Sequence, residues 1–193
     1  MPPETATNSR NDRPGGGVGS VLAWLAGAID RLDERGATGD LAALRRLNPD
    51  RPRAGAFFRL MALAPGDPLE RPGDRFGRWG LVVWMLAQTP GARSGRPLGA
   101  ALADADFSEV RMNRLLAARG DGFRAQVRRL VRFVAHKSSG APYRELGELI
   151  LCEGVHETRA ERLRLSIARD YWRHAQNREI QSDDTNETEA AAG

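Results

Sequence analysis

A single cysteine, Cys152, and a single lysine, Lys137, stand out first among what this sequence has little of. One cysteine cannot form an internal disulfide, which suits a reducing compartment. Histidine is also scarce: His136, His156 and His174 lie far apart, and no two sit in an HExxH-like array. The sequence has no GxxxxGK[ST], no GxGxxG and no GxSxG, so the common phosphate-cradling, dinucleotide and serine-hydrolase motifs are missing. Cys152 and His156 are four apart but straddle Gly154 at an expected helix end. They read as a core cysteine and a capping histidine rather than a metal pair. Asp104 and Asp106 share a turn and could hold a cation; helix capping accounts for them more simply. These absences lead us to expect no catalytic residue, no metal, no cofactor and no enzymatic activity.

Long apolar runs are missing as well. Val18–Ile29, preceded by Arg10 and Arg13, superficially resembles a signal-peptide core, but it is too short to span a bilayer. It continues into Asp30, Arg31 and Asp33, and Val21, Trp24, Leu25, Ala28, Ile29 and Leu32 share one helical face. The expectation is a soluble, cytoplasmic protein without a membrane partner.

Runs of alternating β-branched residues are also lacking, and glycine and proline punctuate a series of helical periods. The fold expected is all-α, with about nine helices in two packed subdomains. The helices fall near Ser20–Arg35, Asp40–Leu47, Arg53–Leu63, Asp74–Gln88, Pro97–Ala103, Phe107–Arg119, Gly122–Lys137, Pro142–Cys152 and Glu157–Arg178. Gly120 reads as the stop of the sixth and Asp121 as a cap of the seventh. Residues 1–17 and 181–193 read as disordered tails, the second acidic. Residues 18–90 and 97–178 read as an N-terminal and a basic C-terminal subdomain. Trp24, Trp79, Trp84, Phe57 and Phe58 are assigned to the core.

What the chain has in quantity is arginine. Of its 29 basic residues 28 are Arg. The net charge of +4 understates the middle of the chain. Val18–Arg178 carries 27 basic against 18 acidic residues, and the last stretch carries Glu179, Asp183, Asp184, Glu187 and Glu189 with no base. Between Phe107 and Lys137 eight bases face only two acids, Glu109 and Asp121. In "RAQVRRLVRF", at about 100° per residue, Val127, Leu130 and Val131 turn to one side and Arg124, Arg128, Arg129 and Arg132 to the other. A merely solvated helix face alternates acids with bases; unpaired like charges repel, and a polyanion relieves that cost. Planar guanidinium forks suit phosphate oxygens. Arg111 and Arg114 extend this surface. Arg45 with Arg46, and Arg71, Arg75 and Arg78, form smaller clusters of the same kind. The opposing possibility is that acids from elsewhere in the fold pair with the stripe.

The ordering "LAALRRL", "GAFFRLMAL", "GRPLGAALADADFSEVRMNRLL", "QVRRLVRFV" and a late Tyr-Trp resembles the CasB family, from about Ser20 to Arg178. That family is the small subunit of Cascade, the type I-E CRISPR surveillance complex. The resemblance implies an all-α, non-enzymatic subunit, present twice per complex. Its implied partners are target DNA, the guide RNA and the backbone subunits that carry it, the large PAM-reading subunit and a second copy. It implies a basic path for the displaced non-target strand, with family basic positions at Arg46, Arg111 and Arg129 and, less closely, at Arg75 or Arg78. A helix-turn-helix regulator and a scaffold whose arginines meet acidic protein surfaces are the alternative readings.

Overall fold

The computed structural model describes residues 17–69, 75–90, 95–137 and 142–191; the side chains of Arg75 and of residues 179–191 are outside that description. Residues 1–16 and Arg71 are outside it too, and with them the expected N-terminal tail. Among the described residues there are nine helices and no strand. They are α1 (Val18–Glu34), α2 (Thr38–Arg45), α3 (Gly55–Leu63), α4 (Arg75–Gln88), α5 (Leu98–Asp104), α6 (Glu109–Ala117), α7 (Gly120–Lys137), α8 (Tyr143–Cys152) and α9 (Glu157–Ala191). The periodicity places every helix within a few residues of its observed start. The backbone of α9 continues helical past Arg178.

α4 is central because it is apolar all round. Every residue from Trp79 to Ala87 is buried, and the helix packs on α1, α2, α7 and α8. Each fully buried Leu, Val or Phe side chain contributes about 1.5–3 kcal/mol. One cluster of buried side chains runs through helices on both sides of residues 91–94, from Val21 and Leu25 to Val131 and Ile167. Cys152 belongs to this core, as expected, and burial raises its thiol pKa.

Glycines set two of the closest approaches. A Cβ on Gly99 would lie 2.2 Å from the Ile167 carbonyl oxygen and 2.5 Å from the Tyr171 nitrogen, so α5 and α9 touch backbone to backbone. This explains the glycine of "PLGAAL". A Cβ on Gly80 would meet Pro49 O at 2.6 Å, which holds the α2–α3 connection flat on α4.

Charged side chains lock the corners. Arg164 is buried and its guanidinium reaches Glu161 at 2.7 Å, Glu157 at 3.2 Å and the buried Glu153 at 3.8 Å. It also stacks over Phe123 at 5.6 Å. Glu153 in turn accepts from the Gly120 amide at 2.9 Å, at the start of α7. This corrects one expectation: Gly120, with φ 53°, opens α7 rather than closing α6, and its N–H is met by a carboxylate from the end of α8. Asp121 sits in the first turn of α7, where its charge suits the helix dipole. Asp104 and Asp106 act as ion-pair acceptors. Asp104 pairs with Arg96 and lies 3.1 Å from the His174 Nε2, and Asp106 pairs with Arg178 at 3.0 Å and Lys137 at 3.8 Å. Phe58 is a second correction: it is 44% exposed, beside Phe76, while Phe57 fills the core.

Candidate nucleic-acid interface

α7 sorts its residues by angle. Phe123, Val127, Leu130, Val131 and Val134 are buried, and the arginines occupy the opposite band. On a helical projection of about 100° per residue, Arg124 and Arg128 lie at one edge of that band, with Arg132 and Arg129 toward the other. The two edges meet different neighbours.

The first edge meets the α2–α3 connection. Asp50 points its carboxylate at α7, where Arg128 hydrogen-bonds one oxygen and Arg124 lies 3.6 Å from the other. Both arginine side chains are largely covered. The half of the stripe that begins "RAQVR" therefore meets an internal acid, the opposing possibility raised above. The same connection carries Arg46 at the C-cap of α2, together with Arg51 and Arg53, and all three are exposed. Asp50 thus brings the Arg46 segment to the flank of α7.

The second edge faces α6 across a groove of about 500 Å³. Arg111 and Arg114 line it from α6, and Arg129, Arg132, Gln126 and His136 from α7, over a floor that includes Phe107, Leu130 and Phe133. The Arg111 guanidinium rests 5.4 Å above the Phe133 ring, which holds it at the groove wall. All four arginines are exposed. Among the described residues none of the four is ion-paired to a carboxylate, unlike Arg124 and Arg128. Four guanidinium groups held close without counter-charge repel one another, and an anion with several charges relieves the strain. A basic groove with an aromatic and aliphatic floor can track phosphates while bases rest on its apolar surface.

The remaining candidates sit elsewhere. Arg45 donates through Nε to the Ala87 carbonyl at 3.0 Å, so it caps the end of α4. Arg78 donates to the Glu153 carbonyl and lies half-buried between α4, α7 and α8. The side chain of Arg75 is outside the described residues. Of the arginines expected at a binding surface, the structure gathers Arg111, Arg114, Arg129 and Arg132 into one groove. It adds Arg46 on the neighbouring connection, and it engages Arg124 and Arg128 with Asp50. Gln126 and His136 join the groove without having been singled out. A neutral Gln and an isolated His carry no signal in a charge count.

Among the described residues no group of three His, Cys, Asp or Glu side chains is placed to hold a metal ion. None of the helices is long and apolar enough to cross a membrane, among those same residues. No curated protein and no solved structure matches the chain. The family described as CRISPR-associated protein Cse2 matches residues 40–172, which takes in α3 to α8, most of α2 and the first half of α9. The match covers the groove and the Arg46 connection alike, and the chain belongs to this Cse2 (CasB) family, a subunit of the CRISPR Cascade complex.

Proposed function

We propose that the chain is a non-enzymatic, nucleic-acid-binding subunit of type I-E Cascade that holds target DNA, above all the displaced non-target strand, and so stabilises the R-loop. The observation that carries this is the groove of four exposed arginines without a carboxylate partner. Opening a duplex against a guide RNA is a near-balanced exchange, so a few phosphate contacts on the extruded strand shift the equilibrium. Guanidinium groups supply those contacts with little regard for sequence. Arg46, on the connection docked beside α7, extends the path in this reading. Its partners are the target DNA, the guide RNA with its backbone subunits, the large subunit and a second copy of the chain.

The test is R-loop formation by the assembled complex, followed by gel shift of a double-stranded target. Reversing Arg46, Arg111 and Arg129 together (Arg→Glu) is expected to lower R-loop yield while the complex still assembles. Unchanged yield from an intact complex counts against the proposal. A footprint at one fixed sequence, independent of the guide, favours the regulator reading instead.

A further inference from the structure

A second groove, of about 290 Å³, lies on another part of the molecule, between α1 and α3. Its apolar walls are Trp24, Ala28 and Leu32 from α1 and Leu60 and Leu63 from α3. Leu63 is 73% exposed, the most exposed large apolar side chain described, and Trp24 and Leu32 are only half-buried. Such a cleft leaves apolar area in water, which is unfavourable until a partner covers it. Arg31, Arg35 and Arg59 rim it. Arg59 is neutralised by Asp40 at 2.6 Å, whereas Arg31 and Arg35 pair with no described carboxylate. Along α1 the positions Trp24, Ala28, Arg31, Leu32 and Arg35 fall at helical spacing, so apolar wall and basic rim form one stripe. α1 itself lies outside the residues matched to the family.

We propose that this groove docks an amphipathic helix of a different protein subunit, one with apolar anchors on one face and acidic residues beside them. Three observations select that occupant. A cleft between two helices accepts a third helix by its i, i+3, i+4 anchors, and no strand edge is present among the described residues to pair with an extended peptide. The unpaired Arg31 and Arg35 select acidic flanks. A second copy of the chain fits poorly: its exposed Val110 and Leu165 stand next to Arg111 and Arg114, and to Arg162 and Arg169, which bring like charge to a basic rim. Its exposed Phe58 and Phe76 pack against each other, and the acidic end of α9, residues 179–191, has in Ile180 a single large apolar residue, too few for a row of anchors. Its exposed Val155 sits in a turn rather than a helix, and the nearby Glu157 is taken by Arg119 and Arg164.

This inference takes from the family assignment only that the chain works inside an assembly, and it stands or falls apart from the arginine groove on α6 and α7. The experiment uses the reconstituted complex. Leu63→Asp and, separately, Arg31→Glu with Arg35→Glu are compared with the unmodified chain for copies retained after size exclusion. Both are expected to cut retention at least tenfold. The exposed positions keep the fold intact, checked by an unchanged circular dichroism melt of the free chain. A photo-crosslinker at Leu63 in the unmodified background is expected to capture an acidic helical segment of another subunit. Retention at the unmodified level overturns the proposal, as does a crosslink to a second copy of this chain or to nucleic acid. A complex in which the arginine-groove variants fail to affect R-loops, yet the Leu63 and Arg31/Arg35 variants lose retention, sinks the DNA reading and leaves this one standing.

Discussion

Replacing Arg129 and Arg132 by Gln removes half of the open charge in the α6–α7 groove and leaves the α7 core untouched, since both side chains are exposed. The magnitude follows from counterion release. On single strands each phosphate neutralised adds about 0.7 to the slope of log K against log salt, so four arginines give a slope of about −2.8. Raising salt from about 50 to about 200 mM should then weaken binding about 50-fold for the unmodified chain. With two arginines left the slope falls to about −1.4 and the loss to about sevenfold. Fluorescence anisotropy with a labelled single-stranded oligonucleotide, titrated at several salt concentrations, reads both numbers. Arg124→Gln with Arg128→Gln is the internal control. Those side chains are engaged by Asp50, so their loss should leave the slope nearly unchanged. Each such partly exposed pair is worth about 1 kcal/mol or less, and the melt should fall only slightly. Equal effects of the two double variants, or an unchanged slope for the first, would refute the distinction between an open and a closed edge of α7.

Other expectations concern the frame that holds the groove. Gly99→Ala drives a methyl into the α9 backbone, and overpacking of this kind typically costs about 1–3 kcal/mol, here at the upper end because neither backbone can move aside. A urea titration should show that loss. Arg164→Met strands the buried Glu153 carboxylate with the Gly120 amide as its main partner, a loss of about 3–5 kcal/mol that should lower the melting temperature on the order of 10 °C. Acid should loosen the α9 contacts. The hydrogen bond and charge of Arg178, with help from Lys137, hold Asp106 below its ordinary pKa; the Gly154 amide, then Arg164 and Arg119, do the same for Glu157. Carboxylates with depressed pKa stabilise above their unfolded values, and that contribution disappears as pH falls through the folded ones. Stability should therefore be flat near neutrality and decline below about pH 4.5, as a pH series of thermal melts would show.

The helical architecture was legible because the chain obeys a single period and marks its breaks with glycine and proline. The amphipathic pattern of α7 alone identified Val127, Leu130, Val131 and the opposing arginines. Which arginines remain open was not legible. The deciding acid, Asp50, is 74 and 78 residues away from Arg124 and Arg128, and no local pattern links them. The start of α7 was misread for the same reason, since its amide is met by Glu153, 33 residues further on. Phe58 is wrongly assigned to the core from sequence because α3 is short and apolar on nearly every face, so periodicity does not say which aromatic turns outward. Arg78 and Arg164 show the limit of counting charge: in this arginine-rich chain some guanidinium groups serve as interior braces, and only packing reveals which.

The most direct measurement places a photo-crosslinking amino acid at Gln126, in the wall of the α6–α7 groove, and irradiates the assembled complex on a target whose two strands carry different labels. The account predicts a crosslink to the displaced non-target strand that appears only when the guide matches the target. Crosslinks confined to protein, or a yield that is the same with matched and unmatched DNA, would contradict it.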